Sequence, residues 1–227
     1  MFKQSEIEIK GLLMAVLVTL VVAVGGVVEI VPLIQTRAET VAIPGVKPYS
    51  PLELEGRDIY IREGCYVCHS QQVRPFRDET ERYGTYSRAG ESVYDRPFQW
   101  GSKRTGPDLA RVGGKYPDSW HYTHMRNPRD IERDSIMPNY PWLYANTLDM
   151  RLTRAKLVAN RALGAPYTDQ EVDGWQASLE AQAASIQQSL ARNGFADAQA
   201  DREIIALIAY LQRLGKDIGT RDKVGMH

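Results

Sequence analysis

The chain contains very little cysteine: two residues in 227, Cys65 and Cys68. A structural zinc site usually takes four ligands, commonly from two such pairs, so a single pair argues against one. Neither charge is in excess, because 28 basic side chains face 28 acidic ones. This balance gives no indication of a nucleic-acid partner or of an acidic substrate. The cysteine pair therefore needs an explanation that uses no second pair.

A convincing strand pattern is also missing, since no segment sustains the alternation of apolar and polar residues that strands show. A thioredoxin-like redox pair needs a βαβ setting, which this chain does not offer. Helical patterns take the place of strands, and we expect an all-α fold. One helix is predicted to start near Ser50, one at Pro107, and another to end before Pro128. Three more are predicted over Leu148–Leu163, from the capping box Thr168–Glu171 towards Asn193, and over Ile204–Leu214. Between them, Val73–Lys103 is aromatic and without periodicity, which predicts a long ordered loop.

The apolar residues are concentrated in residues 11–34, GLLMAVLVTLVVAVGGVVEIVPLI. This run carries no charge before Glu29 and is long enough to cross a bilayer core of about 30 Å as a helix. A cleaved secretory signal has a shorter apolar run, roughly 7–15 residues, followed by a small-residue cleavage site. The sequence therefore predicts a retained membrane anchor. Basic residues on its two sides balance, so they do not fix its orientation.

The two cysteines belong to the pattern CYVCH, in which His69 follows Cys68 directly. A disulfide across two intervening residues would be strained and would leave the histidine unexplained. Covalent attachment of a c-type haem uses all three residues, because both thiols add to the vinyl groups and the histidine ligates the iron. We expect one haem c, attached through Cys65 and Cys68 and ligated by His69.

A second axial ligand should come from later in the chain, and the candidates are Met125, Met137, Met150, His121 and His124. Met137 is favoured because it lies in SIMPNY, where a proline fixes the backbone and no helix buries the thioether. Met125 falls in a helical stretch, where we expect it in the core, and Met150 begins a helix among charges, where we expect it at the surface. The histidines lie on one helical face, where a hydrogen bond or a haem propionate is the usual partner. A histidine ligand and an open iron position remain the alternatives.

Other residues are expected to support the haem. A ligating histidine normally donates its second ring N–H to an acceptor, and the GPDL segment offers the carbonyl of Pro107. Arg74 and Arg104 are candidates for contacts with a haem propionate or with a partner protein.

The order of these motifs resembles a class I cytochrome c from Leu52 to Leu214: a helix ending in CYVCH, then GPDL, then MP, then the helix IIALIAYLQRLG. A narrower resemblance spans nearly the whole chain. The segments GGVVEIVPL, REGCYVCHSQQVRPF, ERYGTYSRAGESVYDRPFQWGSKRTGPDLARVGGKY and MRNPR are similar to the mono-haem subunit of cbb3-type cytochrome c oxidases, the CcoO or FixO family. An ordinary cytochrome c has no such long insert between its haem motif and its GPDL.

The resemblance implies a single N-terminal transmembrane helix followed by a class I cytochrome c-type domain with a long loop insertion and extra C-terminal helices. The implied divisions are a cytoplasmic N-terminus over residues 1–10, an anchor over 11–34, a linker over 35–50, a periplasmic haem domain over 51–216 and a tail over 217–227. The last helix would pack across the first helix of the domain. The anchor would lie in the bacterial inner membrane.

The resemblance also implies a role in aerobic respiration. The subunit would relay single electrons from a di-haem cytochrome c subunit to haem b of the large catalytic haem-copper subunit, with no catalytic residue of its own. Three alternatives stay open: the mono-haem subunit of a nitric oxide reductase, a haem peroxidase-like enzyme with a labile methionine ligand, and a thiol oxidoreductase.

Overall fold

The computed structural model describes residues 4–35 and 41–218. Within these ranges the chain forms helices and loops without a β-strand, and a single isolated bridge pairs Thr147 with Arg202. The all-α fold class is confirmed. The chain forms two compact units, Met1–Val41 and Ala42–His227. Parts of three predicted divisions lie outside the described residues: 1–3 of the N-terminus, 36–40 of the linker and 219–227 of the tail.

The first unit consists of α1 (Gln4–Ile9) and α2 (Gly11–Gln35). The segment Gly11–Pro32 has a mean hydropathy of 2.7, and none of its most apolar stretch is buried within the fold. Among the described helices it alone is long and apolar enough to cross a membrane. Its length and composition fit the predicted anchor.

The second unit is organised around two helices, α3 (Pro51–Arg62) and α10 (Glu203–Arg213), which cross in its core. The start of α3 near Ser50 is confirmed by a capping box, because the Ser50 hydroxyl accepts a hydrogen bond from the Glu53 backbone and the Glu53 carboxylate accepts one from the Ser50 backbone. The crossing predicted from the resemblance is also present. It buries apolar side chains of both helices: Leu52, Ile59, Tyr60, Ile204, Leu207, Ile208 and Leu211.

Six further helices complete this unit, with three 3₁₀ turns between them. The helices are α4 (Arg77–Tyr83), α5 (Asp118–Arg126), α6 (Trp142–Ala145), α7 (Thr153–Ala162), α8 (Asp169–Asp173) and α9 (Trp175–Arg192). The turns are Cys65–Val67, Ala89–Glu91 and Pro128–Asp130. The ordered loop predicted over Val73–Lys103 contains α4, which its sequence did not indicate.

The prediction of a helix that starts at Pro107 is wrong, because residues 107–112 are not helical and Ala110 and Arg111 lie in a turn. The Asp108 carboxylate accepts a hydrogen bond from the Ala110 backbone at 2.8 Å, which closes a local turn that competes with a helix. The Leu109 backbone N–H donates to the Ser70 carbonyl at 2.8 Å, across to the cysteine segment. Backbone donors that a helix would use are engaged elsewhere.

Two other helices differ from their predicted limits. The helix predicted over Leu148–Leu163 begins at Thr153, because the Asp149 carboxylate accepts hydrogen bonds from the backbone and side chain of Arg151 and holds a turn there. The helix predicted from Thr168 towards Asn193 has its capping box but breaks at Gly174. On one side of the break, α8 packs in a small separate core, and on the other α9 packs on the main core.

Candidate haem site

Cys65, Cys68 and His69 lie on one turn directly after α3. Gly64 has φ +68°, a left-handed conformation that favours glycine, and it turns the chain out of the helix. The Cys65 carbonyl then accepts hydrogen bonds from the backbone N–H groups of Cys68 and His69, at 3.2 and 3.0 Å. Both thiols are free. The turn therefore presents two thiols and one imidazole together, as haem c attachment requires.

The two thiols differ in their surroundings. Cys65 is half-buried and Cys68 is exposed. Burial, with a smaller contribution from the carboxylate of Glu63, raises the pKa of the Cys65 thiol to about 12. No group of three or more His, Cys, Asp or Glu side chains in the described part of the chain could hold a metal ion. The pair therefore has no neighbours there that would complete a tetrahedral zinc site.

The His69 ring is held by the GPDL segment. Its Nδ1 lies 2.7 Å from the Pro107 carbonyl oxygen. A carbonyl can only accept, so Nδ1 carries the proton and Nε2 keeps its lone pair for a metal. Burial lowers the pKa of His69, which favours this neutral form. The structure thus places Pro107 where the sequence predicted it, although the ligand role of His69 stays a prediction.

Gly106 also shapes the position of His69. A Cβ atom at Gly106 would lie 2.3 Å from Cε1 of His69 and 2.8 Å from both ring nitrogens. Only glycine leaves room for the ring there. The Gly106 N–H donates to the Cys68 carbonyl at 3.0 Å, which keeps this segment beside the cysteine turn. Sequence analysis missed this residue, and the glycine before the proline was the available signal.

Asp108 and Arg104 join the long insert to the cysteine segment. The Asp108 carboxylate, which is buried, accepts hydrogen bonds from the Ser70 hydroxyl at 2.6 Å and the Gln72 backbone at 2.8 Å. Arg104 donates to the Ser70 hydroxyl at 2.7 Å and forms an ion pair with the buried Glu79 at 2.5 Å. Sequence analysis named Arg104 but missed its acidic partners. Glu79 is distant in the sequence, and nothing in the sequence around Asp108 indicates a contact with Arg104.

The second arginine candidate, Arg74, reaches the same carboxylate. Its backbone N–H donates to Glu79 at 2.8 Å, and its guanidinium lies 3.6 Å from the other Glu79 oxygen. Its side chain is 40% exposed, against 18% for Arg104. Both guanidinium groups have partners within the chain, and their contact with a propionate or a partner protein stays a prediction.

Met137 lies in the loop before α6 and is half-buried against the main core. The end of this loop is held near the end of α3, because the indole N–H of Trp142, the first residue of α6, donates to the carboxylate of Glu63, the residue after α3, at 3.0 Å. It is also tied to the end of α5, because the Tyr140 N–H donates to the Met125 carbonyl at 3.0 Å. Met125 is buried in the core, as expected. Met150, expected at the surface, is instead half-buried and packs against that core. Cys65 and Met137 thus pack against the same hydrophobic core, while the role of Met137 as ligand stays a prediction.

Helix α5 adds two histidines, each with one buried ring nitrogen that has no partner among the described residues. Nε2 of His121 and Nδ1 of His124 are buried without a hydrogen bond within the described residues. Four features of the site fit a haem. They are the two free thiols, the His69 imidazole with its available Nε2, the glycine that makes room for that ring, and the buried nitrogens without a partner. They fit a haem better than any other group considered for the motif.

A family model for the mono-haem subunit of cytochrome c oxidase, FixO, matches residues 4–218. The chain belongs to the FixO family. No curated protein sequence matches the chain. The FixO match covers both compact units of the chain, so membership extends to the apolar helix α2 and the C-terminal helices as well as to the haem motif. The chain is therefore a mono-haem cytochrome c oxidase subunit with one apolar helix that suggests a membrane anchor.

Proposed function

We propose that this FixO subunit relays electrons in a cbb3-type haem-copper oxidase during aerobic respiration. It accepts single electrons from a di-haem cytochrome c subunit and passes them to haem b of the large catalytic subunit. The observation that carries this proposal is the His69 ring, fixed by Pro107 on the same turn as two free thiols, in a chain of the FixO family.

In this proposal Cys65 and Cys68 bond the haem, and His69 and Met137 ligate its iron. A haem held this way supplies reversible one-electron exchange when bound. The side chains contribute placement. Pro107 fixes the tautomer and orientation of His69, and Gly106 leaves room for its ring. Hydrogen bonds of Tyr140 and Trp142 hold the segment that follows Met137. Two protein ligands leave no iron position for oxygen, so the subunit carries electrons without turning over a substrate.

The proposal places residues 11–34 across the bacterial inner membrane, with the N-terminus in the cytoplasm and the haem domain, residues 51–216, in the periplasm. The apolar segment Gly11–Pro32 supports a single crossing. The orientation follows from the covalent haem, because bacteria attach haem to such motifs outside the cytoplasmic membrane.

Exposure of the reduced protein to carbon monoxide tests the carrier role. The subunit is purified in mild detergent, reduced, and mixed with the gas while its absorption spectrum is recorded. We expect no rapid spectral change, because both axial positions are filled by side chains. A rapid change would indicate an open or labile position and would favour the peroxidase-like enzyme.

Identification of the proteins that purify with the subunit tests the complex. We expect a large membrane subunit that contains haem and copper, together with a di-haem cytochrome c. A preparation in which the large subunit contains haem and non-haem iron but no copper would instead favour the nitric oxide reductase.

A further inference from the structure

Helix α5 carries a stacked group of aromatic rings. Trp120 lies between Tyr116 and His124, with ring centroids 4.1 and 4.6 Å away and planes within 12° and 19° of parallel. His121 meets the Trp120 ring edge-on at 5.2 Å. Rings packed this closely have little freedom to rotate, so both imidazoles present their nitrogens in fixed directions.

Each imidazole buries a nitrogen that nothing in the described chain satisfies. These atoms are Nε2 of His121, whose side chain is 1% exposed, and Nδ1 of His124. A buried polar group without a partner costs about 1–3 kcal/mol, and native proteins rarely leave two such groups on one helix. Their position on adjacent turns of one helix points to a polar partner that binds there.

Helix α5 belongs to the same part of the fold as both predicted iron ligands. Its last residues accept the hydrogen bond from Tyr140 that ties the Met137 loop. On the other side, Met125 of α5 belongs to the hydrophobic core against which both Cys65 and Met137 pack. A haem bonded to Cys65 and Cys68 would therefore be near this helix.

A haem offers few polar groups to such donors. Its two axial positions go to His69 and Met137 under the proposed function, which leaves its two propionate carboxylates. Arginine is the usual partner of a carboxylate. Four arginines close to the motif in sequence or joined to its segment already have acidic partners, however. Arg104 and Arg74 share Glu79, Arg57 pairs with Asp95, and Arg62 pairs with Glu203.

We propose that His121 and His124 are propionate-binding residues, which donate from Nε2 and Nδ1 respectively to the haem carboxylates. This inference rests on the proposed function, since it requires the haem. It assigns the cofactor's carboxylates to the aromatic face of α5. The insert arginines then serve to hold the protein segments together.

The test compares the haem-loaded variants His121→Leu and His124→Leu with the wild type. The resonance Raman bands of propionate bending should shift in each variant, because a carboxylate loses a hydrogen-bond donor. The midpoint potential should fall, since the less compensated negative charge favours oxidised iron. His124→Gln keeps a donor and should shift less than His124→Leu. Arg129→Gln, an exposed change just after α5, should leave the Raman bands unchanged.

A measurement on the wild type removes any dependence on variants that fold. In the reduced protein labelled with ¹⁵N-histidine, the His121 Nε2–H and His124 Nδ1–H signals should exchange slowly with solvent. Unshifted Raman bands, or fast exchange of either N–H, would overturn the assignment of that residue. A pyridine haemochrome spectrum separates the two levels of proposal. A protein without thioether-linked haem would contradict the proposed function itself. Linked haem with unshifted Raman bands or fast N–H exchange would contradict this inference alone.

Discussion

At the residue scale, Met137 is positioned by its loop rather than by a helix. Its backbone N–H donates to the Ser135 hydroxyl at 3.3 Å, and the Tyr140 N–H three residues later is tied to α5. The neighbouring Pro138 restricts the backbone further. Because the side chain is half-buried and outside a helix, its thioether can turn towards an iron without disturbing the core.

Replacement of this residue tests its role. In Met137→Leu the haem should stay attached through Cys65 and Cys68, while the midpoint potential falls, because a thioether favours reduced iron. The free energy of unfolding should change by less than about 1.5 kcal/mol, since the two side chains have similar volumes. A spectroelectrochemical titration measures the potential, with Met150→Leu as the matched control. An unchanged potential in Met137→Leu would move the ligand to Met125 or a histidine.

Residue chemistry that follows a short motif could be predicted, and chemistry that needs long-range neighbours could not. CYVCH and GPDL predicted Pro107 as the partner of His69, because each of these short motifs indicates a function by itself. Glu79 belongs to no motif, and GPDL does not indicate that its Asp108 contacts Arg104, so both contacts emerge only from the fold. His121 and His124 were noticed as a pair, but only the structure shows which nitrogens lack partners.

At the element scale, the crossing of α3 and α10 depends on one glycine. A Cβ atom at Gly56 would lie 1.9 Å from the Ala206 carbonyl oxygen and 2.9 Å from Cβ of Tyr210. These are backbone and near-backbone atoms, so a rotamer change cannot move them away. The close approach lets the two helices bury the Tyr60 and Tyr210 rings against each other at 5.3 Å.

We therefore expect Gly56→Ala to destabilise the domain by at least about 3 kcal/mol, above the usual range for an added methyl in a packed core. Chemical denaturation followed by circular dichroism measures this change. The sign is informative on its own, because at an exposed helical site the same substitution would stabilise by about 1 kcal/mol. A stabilised or unchanged Gly56→Ala protein would show that the helices do not approach as closely as described.

Helix limits could be predicted where the capping residues and the periodicity agree. The predictions failed where a side chain competes for the backbone hydrogen bonds that a helix would use. Ser50 and Thr168 mark their helices correctly because both form capping boxes. Pro107 resembles a helix start, but the Asp108 carboxylate closes a turn instead. At Gly174 the helix breaks, so that α8 packs in the small core and α9 packs on the main core. The helical periodicity of the sequence does not indicate this break.

At the scale of the whole molecule, buried and half-buried arginine–carboxylate pairs attach the long insert to other parts of the domain. Arg57 on α3 pairs with Asp95, Arg111 pairs with Glu91, and Arg104 pairs with Glu79. All three acids belong to the insert, Val73–Lys103. Ion pairs rather than apolar packing therefore determine much of the position of the insert. The balanced net charge of the chain conceals this specific pairing.

The ion pair between Glu79 and Arg104 makes the free energy of unfolding depend on pH in the acid range. Hydrogen bonds from Arg104 hold the pKa of Glu79 below its usual range in the folded state. Its stabilisation is therefore complete above the unfolded pKa of about 4.3, and it is lost as the pH falls through the lower folded value. Removal of this charge in Glu79→Gln should reduce the free energy of unfolding at pH 7 by about 2 kcal/mol.

The difference between wild type and Glu79→Gln should shrink as the pH is lowered from 5 towards the folded pKa, because protonation then removes the same charge from the wild type. Urea denaturation at a series of pH values measures both proteins. Glu81→Gln is the matched control, since Glu81 is exposed and pairs only with its helix neighbour Arg77, and it should change stability little at any pH. A difference that stayed constant across the acid range would mean that Glu79 is not held ionised by Arg104, and that the insert is attached by its other contacts alone.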